Sequence, residues 1–213
     1  MQQNPSSLSW VWSRFPCTLF ATAYPYTQRL LDIFISLLGL LFLELILPFL
    51  WLANLFLAPG PLFYRQTRVG LCGRPFTLIK LRSMVVTAEQ NGAVWTAEGD
   101  PRITRVGHFL RRTHLDELPQ CWNVLKGEMS LIGPRPERPE FVTILTEQIE
   151  GYTQRHAVKP GLTGWAQVNY EYGDSVEDAR IKLKYDLEYI EWRSWRLDLL
   201  IVLRTFRVIL KGR

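Results

Sequence analysis

A mainly helical α+β fold, with a membrane helix, re-entrant or straight, joined to a compact cytoplasmic domain and interfacial amphipathic helices, is predicted by three features of the sequence. One long apolar run, "LLDIFISLLGLLFLELILPFLWLANLFL" from Leu30 to Leu57, is the only stretch long enough to enter a bilayer. After it, short apolar segments punctuated by Gly and Pro give way to residues spaced as in helices. Residues 185–213 then place bases and large apolar side chains at helical intervals.

The elements follow in chain order. Residues 1–28 hold a single charge, Arg14, among Ser, Gln, Pro and aromatics, a composition that suits a tail. Ala21-Thr22-Ala23 imitates a signal cleavage site, but the apolar stretch before it is short and broken by Pro16, so secretion is not expected.

Residues 29–58 form the membrane helix. Its first arm, Leu30 to Leu47, is about 18 residues or ~27 Å, near the ~30 Å hydrocarbon thickness. Pro48 has no N–H for the carbonyl of Glu44, which predicts a kink, and Glu44 is costly in lipid unless protonated, paired or close to the interface. Arg14 and Arg29 precede the run, and Arg65, Arg68, Arg74, Lys80 and Arg82 follow it before the next acid at Glu89. Both flanks therefore have a cytoplasmic character. Length and charge alone leave two forms open, a kinked helix that returns and a straight anchor.

Residues 59–184 make the compact domain. "PLFYRQ" and "FTLIKLRSM" suit short strands, "RITRVGHFLRR" has helical spacing, and "ERPEFVTILTEQIEGY" fits an amphipathic helix ending at Gly151. In residues 185–213, Arg193, Arg196, Arg204, Arg207 and Lys211 fall within roughly 80° of a helical wheel. With Trp192 and Trp195 at its start, this helix suits the plane of an anionic membrane surface, the other reading being a core-packed helix with a solvated basic face.

Composition narrows the partners. The chain is 47% hydrophobic and 13% aromatic with a net charge of +5, which favours a membrane and an anionic ligand: nucleic acid, lipid head groups or phosphorylated small molecules. No nucleic-acid motif is present and the bases form no single dense tract, so no nucleic acid is expected. Cys17, Cys72 and Cys121 are an odd, scattered set that argues against a disulfide framework or structural zinc, and for a reducing cytoplasm. His108, His114 and His156 show no ligand spacing and are expected to be surface or capping residues.

Chemistry concentrates in "HLDELPQCWNVLKGEMSLIGPRPE", residues 114–137. Asp116 and Glu117 stand side by side, at the start of a helix expected from about Glu117 to Lys126 and closed by Gly127. An Asp capping a helix is ordinary. A helix start with arginines nearby also keeps a carboxylate ionised and gathers phosphates, as a carboxylate nucleophile at phosphorus would need. The repulsion between the two charges can be relieved by a hard cation such as Mg²⁺, which prefers carboxylate and phosphate oxygens.

The strings "KLRSM", "LDELPQ", "GPRP" and "KPGLTGWAQVN", in this order over about Arg29 to Arg213, resemble the bacterial sugar transferases, monotopic phosphoglycosyl transferases acting on polyprenyl phosphate, and most of all their exopolysaccharide branch. The resemblance implies transfer of a sugar 1-phosphate from a UDP-sugar to undecaprenyl phosphate at the bacterial inner membrane, with residues 59–184 as the catalytic domain. It implies Asp116 as the nucleophile at the β-phosphorus, Glu117 as the residue that positions metal and substrate or accepts the acceptor's proton, and Mg²⁺ held by both. Lys80, Arg82 and Arg111 would meet phosphates, and Pro134-Arg135-Pro136 would form a stiff loop on the nucleotide. The resemblance also implies a re-entrant membrane helix that enters and leaves at the cytoplasmic face, Pro48 matching the family's helix-breaking proline although Leu47 replaces the usual Ser before it. Larger members carry N-terminal spans and a soluble domain for which residues 1–28 leave no room. A membrane-anchored basic binding module without catalysis is the alternative reading, and a nucleotide-sugar enzyme with a soluble acceptor another.

Overall fold

The structure is a computed structural model and describes residues 24–210 apart from 91, 93, 95–98, 171, 172 and 174. Most of the expected tail, residues 1–23, lies outside the described residues, as does Lys211.

Leucines and phenylalanines at nearly every position favour one long helix, and α1 runs from Tyr24 to Leu57, starting before the expected residue 29. At 1.5 Å per residue it is roughly 51 Å long. It passes Pro48 as a continuous helix with the proline on its exposed side. Leu30, Phe34, Leu41, Leu45, Phe49 and Phe56 are each more than half exposed on its outer face. The inner face repeats at three- and four-residue steps, and Asp32, Ser36, Leu43 and Asn54 on it are buried. Asp32 accepts from Leu131 N at 2.9 Å and Ser130 Oγ at 3.1 Å, while Arg29 donates to the carbonyls of Val124 and Leu125. Arg29 and Asp32 of this apolar helix are thus satisfied by the domain, whereas Glu44 lies on the exposed side.

Strands β1 (Phe63–Val69) and β2 (Pro75–Leu81) form an antiparallel hairpin that sets Tyr64 opposite Lys80. Helix α2 (Arg105–Arg112) starts where the Thr104 hydroxyl accepts from Gly107 N at 2.9 Å. Helix α3 (Gln120–Lys126) ends at Gly127, whose φ of 81° only glycine adopts readily. Then come β3 (Ser130–Ile132), α4 (Pro139–Gln148), β4 (Gly161–Thr163), α5 (Trp165–Asn169), α6 (Val176–Trp192) and α7 (Trp195–Leu210). β3 and β4 pair in parallel, so closely that a Cβ on Gly161 would stand 2.1 Å from Gly133 N. Leu43 of α1 joins Leu81 and Leu110 in one core cluster, and Val69, Phe141, Leu145, Tyr152 and Leu183 form another.

Several expectations change. The C-terminal segment is not one helix from residue 185: Arg193, with ψ of 123°, breaks it between α6 and α7. Arg204 does not join an outward stripe, because its guanidinium lies 4.8 Å from the Trp165 ring centroid and hydrogen-bonds Asn169. The exposed face of α7 instead carries Trp195, Arg196, Leu199, Leu203, Phe206 and Arg207, with Trp192 exposed just before it. His156 is buried, not superficial. Cys121 is a buried free thiol.

Candidate active site

Asp116 and Glu117 do not open α3. They lie in a separate 3-10 turn, Leu115–Glu117, set up by His114 in the left-handed region at φ 54°, and Pro119 caps α3 two residues later. This turn carries Asp116 inward, where its side chain is 7% exposed, yet no described residue hydrogen-bonds its carboxylate. Burial pushes the Asp116 carboxyl above the usual carboxylate range and the charge of Glu117 adds to this, while Lys80, Arg111 and Arg135 pull it back.

Glu117 has a different setting. Its Oε1 accepts from Arg135 Nη2 at 2.7 Å. Burial alone would raise its carboxyl, but Arg135, His114 and Lys80 together hold it below the ordinary value, so Glu117 stays ionised. The two neighbours are therefore inequivalent, one paired and one not.

Three cations converge from three elements. Lys80 comes from β2, where its ammonium lies 5.5 Å from the Tyr64 ring centroid. Burial lowers its pKa to about 8, helped by Arg68 and Arg135 and opposed by Asp116 and Glu117. Arg111, on α2, is aimed by Nε donating to Ser83 Oγ at 2.8 Å. Arg135 is exposed between two buried prolines, Pro134 and Pro136, in the loop after β3. The structure thus gathers five of the expected site residues, Lys80, Arg111, Asp116, Glu117 and Arg135, around one carboxylate.

Arg82 has different partners. Its guanidinium donates to Pro61 O, Met84 O, Asn54 Oδ1 and Ala58 O, which ties the end of β2 to the C-terminal end of α1. In the sequence a second base two residues from Lys80 looks like another phosphate ligand; alternation along a strand puts both on one face but does not reveal acceptors supplied by a distant helix.

The family model for bacterial sugar transferases matches residues 23–212. The chain belongs to that family. A UDP-N-acetylgalactosamine-undecaprenyl-phosphate N-acetylgalactosaminephosphotransferase of Aeromonas hydrophila is 46% identical over 190 residues, covering 89% of this chain and 45% of the relative. A UDP-glucose:undecaprenyl-phosphate glucose-1-phosphate transferase of Escherichia coli (strain K12) is 44% identical over 201 residues, 91% of this chain and 42% of the relative. One of the same name from Caulobacter vibrioides is 43% identical over 184 residues, 84% and 67% of the two chains. This sugar transferase chain thus spans less than half the length of the first two relatives, whose names carry different sugars.

What sequence reasoning missed in this family member is the support beneath Arg135. Arg155 and Asp186 form a buried ion pair at 2.7 Å, and Arg155 Nη2 also donates to the carbonyl of Arg135 at 2.9 Å. An acid facing inward from α6 was the available signal.

Proposed function

We propose that the chain transfers a sugar 1-phosphate from a UDP-sugar to undecaprenyl phosphate through a phosphosugar carried on Asp116, an early membrane step in making an exopolysaccharide or related glycan. The observation that carries this reading is the Asp116 carboxylate: buried, without a hydrogen-bond donor among the described residues, and faced by Lys80, Arg111 and Arg135. A structural carboxylate at that depth would be hydrogen-bonded. One whose water is replaced by fixed positive charges is arranged to meet a phosphate.

The chemistry needs two displacements at one phosphorus. An Asp116 oxygen bonds to the β-phosphorus as the bond to the bridging oxygen breaks, and UMP leaves with that electron pair. An oxygen of undecaprenyl phosphate then bonds to the same phosphorus and the Asp116 carboxylate is released. Arg135, Arg111 and Lys80 hold the phosphates, and Glu117 holds Arg135 in place. Mg²⁺ fits the donors present, since the Asp116 carboxylate and Oε2 of Glu117 are hard oxygens beside a diphosphate site; it would neutralise the diphosphate charge. Among the described residues no cluster of three or more His, Cys, Asp and Glu could hold it alone, so substrate phosphates would complete its shell.

The reading extends to the membrane. α1 is long and apolar enough to cross a bilayer, but its inner face meets the catalytic domain both near its start, at Arg29 and Asp32, and near its end, at Asn54. Contacts at both ends support a helix that enters and leaves the cytoplasmic leaflet, with Trp192, Trp195 and Arg207 on the same anionic surface. Single cysteines at Ser6 and Ser175, with native cysteines removed, should both be shielded from an impermeant thiol reagent in intact cells; labelling at Ser6 alone would show a full span.

The reaction is tested by UMP release from a panel of UDP-sugars. Release should need undecaprenyl phosphate for turnover, stop with EDTA and return with Mg²⁺. Turnover without the lipid, or in the chelated sample, would contradict the acceptor or the metal respectively.

A further inference from the structure

Every carbonyl from Pro134 to Glu137 accepts a hydrogen bond. Pro134 O takes Gly161 N at 2.9 Å and Glu137 O takes Val69 N at 2.9 Å. Between them, Arg135 O takes Arg155 Nη2 at 2.9 Å and Pro136 O takes Arg68 Nη1 at 3.0 Å. Pro134 and Pro136 have no N–H to add, so at these two residues the backbone is held through its acceptors.

The two arginine struts are built differently. Arg68 also meets Gln66 Oε1 and Glu137, near neighbours of the loop itself. Arg155 reaches into the core: Nε donates to Asp186 Oδ2 at 2.9 Å and Nη1 to the Tyr152 hydroxyl at 2.8 Å. Arg155 and Asp186 are 6% and 1% exposed. A buried ion pair rarely outperforms apolar packing in stability, so its presence under a site loop calls for another role.

We propose that Arg155, held by Asp186, is a positioning residue that sets the backbone of Arg135, so that the Arg135 side chain stays on Glu117 and on the substrate diphosphate. The inference rests on the reaction proposed above. It makes α6, which supplies Asp186 but no residue of the site, part of the machinery for nucleotide-sugar binding. Arg155 acts only through Arg135, and that is its testable feature. A residue that merely holds the core together would harm the enzyme whether or not Arg135 is present.

The test is a double-mutant cycle on the full chain in detergent, following UMP release in wild type, R135A, R155K and the double variant. R155K keeps a charge beside Asp186 but lacks the planar fork that spans Asp186, Tyr152 and the Arg135 carbonyl. R155K alone should raise KM for the UDP-sugar about ten-fold, as displaced positioning groups do. In the R135A background it should add less than about two-fold. Equal effects of R155K in both backgrounds would overturn the proposal. If R155K does not fold, D186N is carried through the same cycle with the same two outcomes. A wild type that releases no UMP from any UDP-sugar would overturn the reaction and the inference with it; an active wild type with additive variants overturns the inference alone.

Discussion

Two carboxylate–arginine assemblies stand one behind the other in this molecule, and they differ in how completely their members are paired. At the back, Asp186 and Arg155 are almost wholly buried and the guanidinium has partners on all three nitrogens. At the front, Arg135 meets Glu117 with half of its side chain exposed, and Asp116 has no hydrogen-bond donor among the described residues. The same residue types therefore make a support where they are saturated and a site where they are not. Stability follows the same division. A half-exposed pair contributes about 0–1 kcal/mol, whereas removing one partner of a buried pair costs about 3–5 kcal/mol.

The largest expected effect tests the front assembly. Asp116→Asn should abolish turnover, because an amide cannot displace UMP, and Glu117→Gln should lower it at least ~100-fold, in steady-state UMP release. Retained turnover in the Asn variant would make Asp116 another structural carboxylate and erase the contrast.

Stability gives the next largest difference. Asp186→Ala should cost about 3–5 kcal/mol in chemical or thermal unfolding, against about 1 kcal/mol or less for Arg135→Ala, although Arg135→Ala should impair UDP-sugar use. Similar losses in the two variants would place both pairs in one class.

The smallest effect sharpens the comparison through pH. Lys80 titrates in the folded chain at about 8, below the ordinary lysine value of 10.5. Its charge is lost as pH rises through about 8, so UDP-sugar use should fall there, and Lys80→Arg should move that limb to higher pH. The effect on stability has the opposite sign. Between about 8 and 10.5 the unfolded chain still holds the proton that the folded one has released, so this group's contribution to stability rises with pH. Activity and stability falling together across that window would point to general alkaline unfolding.

Much of the front assembly was legible in the sequence and little of the back. Asp116, Glu117 and the Pro-Arg-Pro loop are close together along the chain, and prolines flanking an arginine announce a fixed backbone with a projecting charge. Arg155 and Asp186 are 31 residues apart and meet only because the turn before β4 packs on α6. Helical periodicity also ran through the C-terminus unchecked. It tracks side chains at 100° per residue and cannot register one residue, Arg193, leaving helical ψ, nor a Trp165 ring that draws Arg204 inward. The long helix was plain from its apolar residues, whereas its inner polar stripe gains meaning only from acceptors such as Val124 O and donors such as Leu131 N.

The account's central claim is that Asp116 carries the phosphosugar, and intact-protein mass spectrometry tests it most directly. Wild-type protein mixed with its UDP-sugar and Mg²⁺, without undecaprenyl phosphate, should gain the mass of one sugar phosphate as one equivalent of UMP is released. Proteolysis should place the adduct on the peptide containing Asp116, and adding undecaprenyl phosphate should remove it. Turnover with no adduct at any time, or an adduct of the same yield in Asp116→Asn, would contradict the account.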